Sequence, residues 1–195
     1  MKFRKFDGTP IEDIAAYLHN YFAKSEGGDY EIYVGCDSLP PKKKVTTFVT
    51  VVCIRNVGHG AHVLYRKDRV SNTKLKTKKG VETGDIIDRL WHEVELSVGV
   101  ATYLRDKGVL EFKDKYNKIK FLHIDIHLDI NPDEMHKSNL VYNSAVGFVK
   151  GMGFEFVTKP NAWAATYAAD MCCRGRFPAY FGGHEIDFPS EINKN

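Results

Sequence analysis

From residue 30 onward the chain alternates apolar runs of period two with apolar runs of period 3.6, and the order in which they come leaves few folds open. Residues 31–38, 45–55 and 61–70 read as three strands with short connections, which favours an antiparallel meander. Ile86, Ile87, Leu90, Val94, Val98, Ala101 and Leu104 then form the stripe of a long helix over about 82–106, with Gly108 as its C-cap. A fourth strand over 119–130, a helix over 133–150, a short fifth strand over 154–157 and an alanine-rich helix over 162–173 follow. Strands alternating with helices in this half imply parallel pairing. The expected architecture is therefore α/β: a mixed five-stranded sheet in the order β-β-β-α-β-α-β-α, with helices on both faces. Thr9 as N-cap and Pro10 at the first position predict a preceding helix over 10–24. Residues 174–195 read as an irregular tail packed through Phe177, Tyr180, Phe181 and Phe188.

Length suits one sizeable domain, residues 1–195, with its core at about 30–173. The longest apolar run, Phe48 to Ile54, is far short of the ~20 residues of a membrane span. The basic start, Met1 to Asp7, has no long apolar segment after it, so it is not a secretory signal. Cys36, Cys53, Cys172 and Cys173 lack metal-ligand spacing and fit free thiols in a reducing compartment. A cytoplasmic, membrane-free protein is expected. With a formal net charge of only +3, any affinity for nucleic acid has to come from local patches.

The stretch Glu31-Ile32-Tyr33-Val34-Gly35-Cys36-Asp37-Ser38 brings an acid to the end of the first strand, beside a small residue. Ile32, Val34 and Cys36 face one way and Tyr33, Gly35 and Asp37 the other. Leu39-Pro40-Pro41 then stops the strand. By itself Asp37 is no more than the start of a turn. In an open sheet, however, the carboxyl ends of strands are where ligands sit.

The order of elements resembles that of the ribonuclease H-like fold. That superfamily carries acids at the end of the first strand, in the first long helix, at the end of the fourth strand and in the last helix. The matching residues are Asp37, Glu93, Asp129 and Asp170. Geometry favours these choices over their neighbours. Glu93 falls about 60° from the centre of the long helix's buried face and Glu95 about 140°. In the fourth strand Leu122, Ile124, Ile126 and Leu128 form an apolar face, and His123, Asp125, His127 and Asp129 a polar one. Asp129 stands at its end, before Asn131-Pro132; Asp125 lies deeper. Asp170 sits among Ala164, Ala165, Ala168 and Ala169, whose small size permits close packing on a sheet. Four carboxylates suit hard ions such as Mg²⁺ or Mn²⁺. A pair of such ions activates water and stabilises the leaving oxygen in phosphodiester hydrolysis. Asp37 is the expected shared ligand, Glu93 and Asp129 serving mainly one ion and Asp170 the other.

More closely, Val34-Gly35-Cys36-Asp37-Ser38, Trp91-His92-Glu93, His127-Leu128-Asp129-Ile130, Lys159-Pro160-Asn161-Ala162 and Ala168-Ala169-Asp170 resemble the YkuK-type branch of that superfamily. That branch carries an amide where Asp170 stands, a departure of this chain from its pattern.

Ser38, Lys42, Lys43, Lys44, Lys78 and Lys159 are candidate phosphate contacts, although for Ser38 a turn cap is the reading that local chemistry favours. His127 is a candidate aid to proton transfer beside Asp129. Tyr33 is expected under the long helix. The expected function is a divalent-metal-dependent nuclease acting on RNA, an RNA–DNA hybrid or structured nucleic acid rather than plain duplex DNA. The alternatives are a nucleic-acid-binding or assembly module without turnover and a small-molecule phosphohydrolase.

Overall fold

The computed structural model describes residues 1–42, 45–71 and 84–175. Its centre is a seven-stranded mixed sheet whose strands lie in the order β2 (Pro10–Ile11), β1 (Phe3–Lys5), β5 (Gly60–Ser71), β4 (Val45–Asn56), β3 (Tyr30–Lys42), β8 (Ile124–His127) and β9 (Glu155–Val157). Strands β3 (Tyr30–Lys42), β4 (Val45–Asn56) and β5 (Gly60–Ser71) form the expected antiparallel meander. Strand β8 (Ile124–His127) runs parallel to β3, and β9 (Glu155–Val157) parallel to β8. The five expected strands thus make the body of the sheet. Two short N-terminal strands, β1 (Phe3–Lys5) and β2 (Pro10–Ile11), extend it beyond β5.

Helices cover both faces of the sheet's central part. Ile32 and Val34 of β3, Val52 and Ile54 of β4, and Ile124 and Ile126 of β8 face three helices. These are α1 (Ile14–Ala23), the long α2 (Gly84–Asp106), which brings Leu90, Val94, Val98, Ala101 and Leu104, and α3 (Tyr142–Gly151). The opposite face, with Tyr33, Val49, Val51, Cys53, Val63 and Tyr65, packs on Trp163, Ala164, Ala168, Ala169 and Cys172. Tyr33 therefore lies under the last helix, not the long one. All four cysteines are buried free thiols.

Several boundaries differ from expectation. The N-terminal helix begins at Ile14, not Pro10, because Pro10 and Ile11 pair with Arg4 and Phe3, and Asp13 accepts the Ala16 N–H as the cap. The first strand runs through Pro40 and Pro41 to Lys42, with a register shift between Leu39 and Lys42. Its pairing with β8 ends at Gly35, so the prolines stand on an open edge where a missing N–H is tolerated. The expected fourth strand is split. Ile119–Phe121 (β7) pairs with Glu111–Lys113 (β6) in a separate hairpin, and Ile124–His127 alone enters the main sheet. The second helix opens as a 3₁₀ turn over Lys137–Val141. The last helix is a π-type segment over Ala164–Ala169 that becomes α4 (Asp170–Arg174). Lys43, Lys44, Lys78 and the tail aromatics lie outside the described residues, and Lys42 is described in its backbone alone.

Gly35 fixes the distance between the sheet and the last helix. A Cβ there would meet the Ala165 backbone nitrogen at 2.7 Å and the Ala164 carbonyl carbon at 3.0 Å, both immovable backbone atoms. Gly99, on the exposed side of α2, has nothing within 4 Å of such a Cβ. Gly35→Ala is expected to destabilise the fold by about 1–3 kcal/mol through overpacking. Gly99→Ala should stabilise it by up to about 1 kcal/mol through helix propensity. Urea unfolding of the two variants tests the contrast.

Candidate metal and phosphate site

Strand register brings the acids together. Gly35 of β3 stands opposite His127 of β8 where their parallel pairing ends. Asp37 lies two residues past Gly35, and Asp129 two residues past His127. Equal offsets in parallel strands bring both to one edge and one face of the sheet. The last helix, drawn down onto Gly35, brings Asp170 over the same edge. These three acids line one open pocket of about 390 Å³ with Ser38 and Leu39 from β3, Arg89 from α2, Lys159, and Thr166 and Arg174 from the last helix.

Glu93 lies beneath the pocket rim and is 6 % exposed. The Ser38 hydroxyl donates to its Oε1 at 2.6 Å. A single hydrogen bond to a charged group is worth about 1.5–3 kcal/mol, less than the several kcal/mol required to keep a carboxylate charged out of water. Burial accordingly pushes the Glu93 carboxyl up to about 8, and the nearby Asp37 charge pushes the same way. Asp37 is itself pushed up to about 6, chiefly by burial, then by Asp129 and Asp170. The Ser38 backbone N–H, 2.7 Å from Asp37 Oδ1, and Arg89 pull it back. Glu95, on the outer side of the same helix, is half-exposed and accepts from Trp91 Nε1.

The other two acids hold cations. Lys159 Nζ is 2.9 Å from Asp129 Oδ1, yet this buried oxygen receives no hydrogen bond of acceptable angle. Arg174 Nε donates to Asp170 Oδ1 at 2.6 Å. Lys159 and Arg174 are 40 % and 50 % exposed, so water lies on their other side and both side chains have room to leave.

Mg²⁺ and Mn²⁺ ask for oxygen donors, and the residues present meet that demand in kind. Asp37, Asp129 and Asp170 share a pocket, and Asp129 Oδ1 is buried without a hydrogen bond. Among the described residues no group of three or more His, Cys, Asp and Glu stands arranged to grip an ion. For one ion to be held by all three acids, Lys159 and Arg174 would have to give up the oxygens they now contact.

His127 takes a different part from the expected one. It is 2 % exposed, lies outside the pocket and packs against Tyr33 and Trp163. Its Nδ1 accepts the Ala164 N–H at 3.0 Å, and burial drops its pKa to about 3. A neutral imidazole so held anchors the start of the last helix and is not the imidazolium acid that proton delivery beside Asp129 would need. Asp125 pairs along β8 opposite Tyr33, near Glu155 and Glu31, away from the pocket. Arg89, Thr166 and Arg174 escaped the sequence reading, although each stands four residues from an acid on its helix, Arg89 from Glu93 and the others from Asp170.

A family model described as Ribonuclease H-like matches residues 13–174. No curated protein and no solved structure matches the chain. No helix among the described residues is long and apolar enough to cross a membrane.

The raised carboxyls make a pH prediction for the metal-free protein. A carboxyl whose folded pKa is raised adds stability below its unfolded pKa and loses it as pH climbs through the folded value. Asp37 and Glu93 thus lose theirs between about pH 4 and 8. His62 and His127, held neutral by burial, act below about pH 6.5, where unfolded imidazoles take up protons. In EDTA, stability should fall by roughly 1 kcal/mol above pH 7 as Glu93 ionises. Glu93→Gln should flatten this slope, as read by denaturant unfolding at pH 7, 8 and 9.

Proposed function

The chain belongs to the ribonuclease H-like family, and from that premise we propose that it is a divalent-metal-dependent nuclease of the YkuK-type branch, acting in the cytoplasm on RNA or an RNA–DNA hybrid. The observation that carries this is the convergence of Asp37, Asp129 and Asp170 on one pocket from two parallel strand ends and a helix, with Glu93 buried behind them. Asp37, Asp129 and Asp170 would hold Mg²⁺ or Mn²⁺, with Glu93 in reserve once it gives up its proton. Bound there, such ions polarise water for attack and neutralise the leaving oxygen of a phosphodiester.

The chain's own side chains do the rest. Ser38 stands at the pocket with its backbone N–H turned to Asp37 and its hydroxyl to Glu93, which orients both acids. Arg89, Lys159 and Arg174 ring the pocket with positive charge. When Asp129 and Asp170 are engaged elsewhere, Lys159 and Arg174 become donors for phosphate oxygens. Trp163 and the alanines of the last helix close the apolar layer underneath, so the acids stay partly dry and their charges act at reduced dielectric.

A second reading, a nucleic-acid-binding module without turnover, draws support from the two ion pairs already present at Asp129 and Asp170. Such a pocket is neutralised without any ion. The two readings part in one experiment. Asp37→Asn and Asp129→Asn are expected to weaken Mn²⁺ binding in calorimetry and to lower Mn²⁺-dependent cleavage of a labelled RNA–DNA hybrid by at least about a hundredfold, the scale of losing a main electrostatic contribution. Wild-type protein that binds RNA yet gives no Mn²⁺ heat and no cleavage would establish the second reading instead.

A further inference from the structure

We infer that the sheet surface beyond the last helix is a track for the nucleic-acid backbone, with Arg69, Lys67 and Arg4 as its phosphate-binding side chains. The inference rests on the proposed nuclease reading for where the scissile bond lies, though not for the binding itself.

Register puts these residues on the face that bears the acids. Directly opposed residues in neighbouring strands share a face. Asp37 stands opposite Val49, and Val49 opposite Lys67. On the next rung Leu39 stands opposite Thr47, and Thr47 opposite Arg69. On the rung before, Gly35, Val51, Tyr65 and Arg4 form one row across four strands. Lys67 is thus two strands from Asp37, about 10 Å at the usual strand spacing, and Arg69 about 7 Å further along β5. Arg4, Lys67 and Arg69 are all exposed.

A path joins them to the pocket. Val49 is fully buried beneath the end of the last helix, which closes the direct rung. The Leu39–Thr47–Arg69 rung is half-open, and Leu39 itself lines the acidic pocket. At the far end Arg4, Tyr65 and Lys67 border a hollow of about 580 Å³, and Lys67 Nζ lies 5.6 Å above the Tyr65 ring. Among the described residues strand β5 pairs with β1 through Leu64 and Tyr65, and Lys67 and Arg69 lie beyond that pairing.

Asp68 and Glu12 line the same hollow, and each is held by a base outside the row. Asp68, opposite Phe48 in the register, pairs with Arg66. Glu12 pairs with Lys2 at 2.6 Å. Cations set this far from the carboxylates are out of reach of a small phosphoester held in the pocket. They suit a polymer that carries a charge on every unit.

The test measures binding without turnover. Fluorescein-labelled 12-nucleotide RNA, the matching RNA–DNA hybrid and duplex DNA are titrated in EDTA and read by anisotropy. Lys67→Glu with Arg69→Glu should weaken binding of the single strand or the hybrid at least about tenfold. The logarithmic salt slope for the single strand should become shallower by about 0.7 for each phosphate that is no longer neutralised. Lys67→Gln with Arg69→Gln should give an intermediate loss. Lys113→Glu with Lys118→Glu, the same charge change on the remote hairpin, should alter affinity less than about twofold, since that site touches no phosphate. Equal loss in this control, wild-type affinity in the row variants, or no binding of any probe by the wild-type protein would overturn the track. Mn²⁺-dependent hydrolysis of bis(p-nitrophenyl) phosphate needs the pocket alone and should be the same in the row variants and wild type. If that hydrolysis is absent throughout while the anisotropy difference holds, the nuclease reading falls and the track stands.

Discussion

The structure turns on the contact between a strand without a side chain and a helix backbone. At Gly35 the last helix comes so near β3 that even a methyl group would meet main-chain atoms. The alanines at 164, 165, 168 and 169 make the approach even along the helix, because small residues let backbones come close. His127 reinforces it from the sheet side by accepting the Ala164 N–H. The wide π-type turn falls over the same residues, at some loss of regular hydrogen bonding. Without this contact Asp170 would stand a side-chain layer above the sheet, beyond the reach of a group shared with Asp37. Asp129 needs no such device, since parallel register alone carries it to the edge.

Electrostatics then decides what form the site takes. Three acids and three bases line the pocket, Asp37, Asp129 and Asp170 against Arg89, Lys159 and Arg174. Glu93, driven towards its neutral form by burial, adds little to that sum near neutral pH. The metal-free pocket is therefore close to charge balance. Its two ion pairs are half-exposed and individually weak, since pairs of that kind contribute at most about 1 kcal/mol. On the proposed reading they would be weak enough to yield to a competing divalent cation.

Much of this was legible in the sequence, and the failures have physical reasons. The five core strands and their mixed pairing follow from periodicity, because a sheet covered on both faces demands apolar runs. Glu93 and Glu95 separate on helical angle alone, one buried and one half-exposed. Local rules failed where tertiary context outweighed them. Pro10 starts a helix in isolation, yet here it enters an edge strand because Phe3 and Arg4 offer a partner. Pro40 and Pro41 end a central strand, yet here the strand continues because its outer neighbour has already stopped. His127 looked chemical because it sits on a polar strand face. That face turned out to be covered by the last helix, and a covered histidine with one backbone donor is a structural group. Arg89, Thr166 and Arg174 were missed because a helical position four residues from an acid ordinarily makes a surface pair, and only the fold reveals that this pair faces a pocket.

Charge balance also links the two halves of the proposal. On the proposed reading, each divalent ion entering the pocket would add two positive charges and free a lysine or arginine from its acid. Both changes favour a polyanion, and linkage makes the effect mutual, so that a bound strand tightens the hold on metal by the same factor. A neutral pocket beside a basic sheet edge would accordingly take up the strand first through Arg4, Lys67 and Arg69, whose charge does not depend on metal. The phosphate nearest Asp37 would be gripped only once ions are in place. Separating a constant grip from a conditional one would let a small domain with a formal net charge of only +3 hold nucleic acid without relying on overall charge.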